Sequence, residues 1–149
     1  MKKTSNAQRP TLNIEFRGGR VAETDHGEYG VRRNYDLEER LLNFTAEIVS
    51  PADTLPSTKA GNHIAGQLLR CGTSPLANHG EVEAGESRKD FLHKLRVCLK
   101  ELRETWRWLR LIARLELVES AKLRSILTEV EELVRIFAAS VRTTEKNAR

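Results

Sequence analysis

Nowhere in this chain do apolar residues run unbroken for the roughly 18 positions a membrane-spanning helix requires. The opening MKKTSNAQRPT likewise has no apolar segment that could act as a signal peptide. Cysteine is scarce: Cys71 and Cys98 are the only two, both fall in predicted helices without a CxxC partner, and both read as small buried hydrophobes. A reducing cytoplasm with no membrane partner is the expected setting. Metal-ligand patterns are missing too. None of His26, His63, His79 and His93 stands at an HxxxH or HExxH spacing, so no metal site and no cofactor is expected. The glycine-containing pieces EFRGGR and RCGTS match neither GxxxxGKS/T nor GxGxxG, so no phosphate cradle is implied. Ser74 and Ser87 occupy a kink and a helix start rather than a GxSxG elbow. Glu81, Glu83 and Glu86 cluster after the kink without the Glu-x-x-His pairs of a di-iron bundle. These absences leave no catalytic residue to name, and the expectation is a protein that is not an enzyme.

Charge is present in abundance but nearly balanced. Of 149 residues, 25 are Lys or Arg and 21 are Asp or Glu, a net charge of +4, which inclines the chain only mildly toward an acidic partner. The length suits one domain with a real core.

The longest organised stretch is Glu86 to Glu116, ESRKDFLHKLRVCLKELRETWRWLRLIARLE. Phe91, Leu95, Cys98, Leu99, Leu102, Trp106, Leu109 and Ala113 recur at steps of three and four, the signature of one buried helix face. Ser87 with Asp90 gives an S-x-x-D start that satisfies orphan amides. A second stripe adjoins the first: Lys89, Arg96, Lys100, Arg103, Arg107, Arg110 and Arg114. Like charges three and four apart repel, so this stripe calls for anions from outside its own helix. Carboxylates such as Glu129, Glu131 and Glu132, from a neighbouring helix or subunit, are one source. Solvation of the heads over buried stems is a second arrangement, and the phosphates of RNA or DNA are the third. The stripe has no aromatic residue interleaved for base stacking, so any nucleic-acid contact is expected to read the backbone. Trp108, Leu111 and Leu115 lie on another face and are expected to form an oligomer interface.

Three more amphipathic helices are predicted. The first starts near Asp36, capped with Glu39, carries Leu37, Leu41, Phe44 and Ile48 inward, and ends where Pro51 and Pro56 bracket the linker. The second starts near Thr58, with Ile64, Leu68 and Leu69 inward, and is expected to kink or break at CGTSPLANHG, where Gly72, Pro75 and Gly80 stand. The last runs from about Ser120 through Leu123, Ile126, Leu127, Val130, Val134, Phe137 and Val141. The fold class is therefore all-α, an antiparallel up-down four-helix bundle over 35–143. A flexible basic arm over 1–34 precedes it, with a hairpin at TLNIEFRGGRVAET and a short strand at Tyr29 to Val31. A disordered tail at 144–149 follows.

The runs YDLEERLLNFTAEIV and KAGNHIAGQLLRCGTSPLANHGEVEAGESRKDFLHKLRVCLKELRETWRWLRLI resemble the small four-helix-bundle proteins encoded within intervening sequences of bacterial 23S rRNA genes, also labelled S23 ribosomal proteins. The most specific pieces are QLLR-x-GTS at Gln67 to Ser74, Ala77-Asn78, and ESRKDF-x-HKL at Glu86 to Leu95. The resemblance implies a homo-oligomer, commonly a pentamer, with no catalytic residues. It also implies a distant relationship to the accessory protein of diversity-generating retroelements, a basic barrel that binds nucleic acid and a reverse transcriptase. The chain departs from the family pattern at Pro75-Leu76, and the segment before Tyr35 lies outside the family core.

Overall fold

The fold rests on four stretches of periodic apolar residues that become helices around one core: α1 (Leu37–Thr54), α2 (Lys59–Glu83), α3 (Arg88–Arg114) and α4 (Ser120–Lys146). The computed structural model describes residues 12–17, 20–25, 37–83 and 87–147. Ahead of the helices, β1 (Leu12–Arg17) and β2 (Arg20–Asp25) pair antiparallel, with Leu12 opposite Asp25 and Arg17 opposite Arg20, and β1 lies against α4. The strand expected at Tyr29 to Val31 and the cap expected at Asp36 fall outside the described residues.

α2 packs against α1 and α3, and α4 against α3 and α1. Each helix contributes one stripe to the core. Leu37, Leu41, Phe44 and Ile48 come from α1, Leu68 from α2, Phe91, Leu95, Leu102 and Leu109 from α3, and Val130, Leu133 and Phe137 from α4. Three of the four phenylalanines, Phe44, Phe91 and Phe137, are fully buried and supply the largest apolar surfaces.

Local chemistry shifts several element boundaries from those expected. Pro51 does not end α1: the helix continues to Thr54, Pro51 is buried, and its carbonyl accepts a hydrogen bond from Thr54 Oγ1 at 3.1 Å. α2 is likewise one uninterrupted helix through Gly72, Pro75 and Gly80. Gly72 marks a close approach rather than a break, because a Cβ there would lie 2.7 Å from the Ile48 Cγ2 methyl of α1. The Asn78 side-chain amide reaches back one turn to the Ser74 carbonyl at 3.0 Å and hydroxyl at 2.9 Å, bracing the turn around Pro75. At the other end of the bundle α4 runs through Lys146, past the expected onset of a disordered tail, because Thr144 is buried and its hydroxyl donates to the Ser140 carbonyl at 2.8 Å.

α3 begins as its sequence suggests, with Ser87 as N-cap accepting from Asp90 N at 3.2 Å. It ends in a Schellman motif: Leu117 N donates to Ile112 O and Glu116 N to Ala113 O, both at 3.2 Å. The C′ position of that motif is left-handed, and here it is filled by Glu116 at φ 53°. A side chain in that region carries strain that glycine does not. Glu116→Gly is therefore expected to stabilise the bundle by about 1 kcal/mol, a rise of roughly 2–4 °C in thermal midpoint. An unchanged or lowered calorimetric midpoint would count against this reading of the turn.

Candidate functional site

The two stripes read from α3 occupy the faces assigned to them, with instructive exceptions. Phe91, Leu95, Cys98, Leu99, Leu102 and Leu109 are buried, whereas Trp106 and Ala113 are only half-buried. Glu101, Thr105 and Ile112 take the remaining interior positions. Thr105 fits because its hydroxyl donates to the Glu101 carbonyl at 2.8 Å, one turn back. Glu101 fits because Arg70 of α2 reaches it at 3.2 Å, which supplies the partner a buried carboxylate needs. The same Arg70 guanidinium binds Glu104. Partial burial pushes the Glu104 carboxyl up, but hydrogen bonds from Arg70 and Trp108 outweigh it and hold the group below the usual carboxylate range. Periodicity alone could not have revealed Glu101, because its partner lies 31 residues away in the chain.

The basic stripe divides into two halves. At its N-terminal end Arg96 pairs with Glu145 of α4 at 2.7 Å, and Lys100 approaches Glu101 at 3.7 Å. Beyond them Arg103, Arg107, Arg110 and Arg114 are all exposed, and none has a carboxylate within 4 Å among the described residues; nor has Lys89 at the start of the helix. The acids expected to neutralise the stripe within the chain are engaged elsewhere. Glu129 takes Arg40 of α1 through two hydrogen bonds of 2.5 and 2.9 Å. Glu132 takes Arg135 at 2.5 Å, and Glu131 accepts from Trp106 Nε1 at 3.2 Å. The four free arginines span twelve residues, about 17 Å of helix, and Arg107 Nη1 donates to the Arg103 carbonyl at 3.4 Å.

Between α3 and α4 this half of the stripe opens onto a groove of about 270 Å³ lined by Arg103, Trp106, Arg107, Glu131, Val134 and Arg135. Trp106 corrects the expectation that the stripe lacks an aromatic residue. It lies in the groove among the arginines, and the Arg110 guanidinium sits over its ring at 4.4 Å. It was missed because its spacing also fits the apolar face, on whose edge it stands.

The residues expected at an oligomer interface are not alike. Trp108 is half-buried against α2, edge-on to the His63 ring at 6.0 Å, with Nε1 donating to Glu104 at 3.5 Å. Leu111 and Leu115 do face solvent, 38% and 51% exposed. α1 presents a separate apolar pair, Leu42 and Val49, 48% and 41% exposed.

The other expected spectator groups are placed without a cluster. Cys71 and Cys98 are fully buried, and burial pushes their thiols up to about 11 and about 12. His79 is buried edge-on to Phe137 at a centroid distance of 6.3 Å, and Glu81 pairs with Lys94. Ser74 lies inside α2, and His26 falls outside the described residues. Among the described residues no three His, Cys, Asp or Glu side chains group closely enough to hold a metal ion, and no helix is long and apolar enough to cross a membrane.

Comparison with known proteins gives a consistent picture. A family model described as 23S rRNA-intervening sequence protein matches residues 33–139. The crystal structure of a protein of unknown function from the S23 ribosomal protein family of Bacteroides thetaiotaomicron is 32% identical. It superposes with a TM-score of 0.66 over 71% of this chain and 98% of that one. No curated protein is matched.

Proposed function

The chain belongs to the family of 23S rRNA-intervening sequence proteins, and from that membership and the free arginines of α3 we propose that it is a non-catalytic, oligomeric nucleic-acid-binding bundle that grips the phosphate backbone. One observation carries the reading: Arg103, Arg107, Arg110 and Arg114 form a 17 Å row without carboxylate partners among the described residues, while Arg40, Arg70, Arg96 and Arg135 are all paired. Four cations that repel one another along a helix are stabilised by outside anions, and guanidinium matches phosphate in shape and charge. Lys89 and the paired Arg96 and Lys100 extend the same face and add to its potential at longer range.

Backbone contacts release counterions, so affinity tracks salt. With four phosphates engaged, binding to a fluorescein-labelled RNA hairpin or a DNA duplex is expected to weaken about a hundredfold between roughly 50 and 200 mM salt. Fluorescence anisotropy reads this directly. A flat salt profile, or no binding at the lower salt, would remove the proposal.

Oligomerisation is supported by apolar residues that stand exposed among the described residues. Leu111 and Leu115 on α3 and Leu42 and Val49 on α1 lie on different elements, and two unlike patches suit a head-to-tail contact that closes into a ring, as in a pentamer. Leu111→Arg/Leu115→Arg is expected to reduce the mass measured by light scattering to that of a single chain of 16.9 kDa with helicity retained. An unchanged mass would place the interface elsewhere.

A second reading has one observation in its favour. Glu38 and Asp53 of α1 are exposed on the same helix face as Leu42 and Val49, so a neighbour's α1 has acids to offer the α3 arginines. On that reading the row is an intersubunit ion-pair seam and the protein is an adaptor for another protein. Oligomerisation would then weaken as salt rises, with no nucleic acid bound.

A further inference from the structure

Trp106 is the aromatic residue of the groove, and its setting differs from that of a core residue. The indole is anchored at one edge by the Glu131 carboxylate, which accepts from Nε1 at 3.2 Å. One ring face is covered by an exposed, flexible side chain, the guanidinium of Arg110 at 4.4 Å. Arg103 stands one turn before the ring and Arg107 next to it, and both line the same groove with Arg135 of α4. A fixed, part-exposed aromatic plane surrounded by cations is the composition of single-strand binding surfaces, where bases stack and phosphates are held alongside.

We infer that Trp106 is a stacking platform for one unpaired base of a single-stranded nucleic acid, which takes the place on the ring now held by Arg110. This inference rests on the phosphate-binding reading above and narrows its ligand. A cation over an exposed ring is held more weakly than a stacked base, so the exchange favours the base, and the freed Arg110 turns its charge to the strand. A base inside a duplex has both faces covered by its neighbours and has to leave the stack to reach the ring. The ligand class is therefore a single strand, a loop or a bulge.

The test compares a 12-nucleotide oligothymidylate with an abasic strand of the same length and charge, using wild type, Trp106→Leu and Trp106→Phe. Wild type is expected to bind the oligothymidylate about tenfold more tightly than the abasic strand, the weight of one stacked base. Trp106→Leu should bind both strands at the abasic level with the same salt slope, and Trp106→Phe should keep part of the preference. Wild type without a base preference overturns the inference, as does a folded Trp106→Leu that keeps the preference. Salt-dependent binding that is blind to bases removes the platform alone. Loss of salt-dependent binding to every strand removes the phosphate reading and the platform with it.

Discussion

Reversing three charges, Arg103→Glu/Arg107→Glu/Arg110→Glu, is expected to lower nucleic-acid affinity by roughly a thousandfold or more at about 50 mM salt while leaving the bundle folded. The size follows from counterion release. A slope near 0.9 per phosphate, extrapolated from about 1 M to about 50 mM, makes each contact worth roughly one decade, so three contacts account for about three. Repulsion between the new carboxylates and the phosphates adds to the loss. The fold should tolerate the change because all three side chains are exposed and none is held by a carboxylate among the described residues. The Arg110 contact with Trp106 is worth only about 0.5–1 kcal/mol at the surface. Circular dichroism and a thermal melt establish that the helices remain, and anisotropy reads the affinity. A folded variant that binds as tightly as wild type would show that this row does not meet phosphate.

The second large effect concerns one substitution at two glycines of the same helix. Gly61→Ala is expected to cost about 3 kcal/mol, and Gly66→Ala to gain about 0.5–1 kcal/mol. A Cβ on Gly61 would lie 1.9 Å from the Pro56 carbonyl oxygen and 3.0 Å from its carbon. That carbonyl is held in place by Thr58 N, which donates to it at 2.7 Å, while the Thr58 hydroxyl caps α2 by accepting from Gly61 N at 3.0 Å. The atom in the way is backbone within a tight turn, so relief requires moving the α1–α2 connection and giving up the cap, worth about 1 kcal/mol on its own. Gly66 has nothing within 4 Å of its absent Cβ, so alanine there gains helix propensity without a clash. Denaturant melts of the two variants should move in opposite directions from wild type. Equal shifts would mean that the Pro56–Thr58 turn does not constrain Gly61.

How far the sequence carried depends on whether a feature is local. The α3 core stripe, the Ser87 cap and the Thr58 start of α2 were legible because each depends on residues within a turn or two. Pro51 misled as a helix end, and Pro75 as a possible break, because proline penalties are also local, whereas burial against neighbouring helices carried both helices through. In the candidate site, the row of arginines was visible but not the division within it. Whether a stripe cation is free is settled by residues far away in sequence, such as Glu145 for Arg96, and by the capture of Glu129 by Arg40, 89 positions distant. Trp106 was read as core because a helical period assigns a face, and a residue on the boundary of that face belongs to two surfaces at once.

The burial of the two thiols gives the molecule a built-in clock. With Cys71 pushed up to about 11 and Cys98 to about 12, the thiolate that reacts with a disulfide reagent is present in well under one molecule in a thousand at neutral pH. The two sulfurs are held differently: Cys71 Sγ donates to the Leu68 carbonyl of its own helix, whereas Cys98 Sγ, on α3, crosses to the Pro75 carbonyl of α2, both at 3.7 Å. Modification of Cys98 thus requires α2 and α3 to part. The rate at which a disulfide reagent labels it at neutral pH reports how often that seam opens.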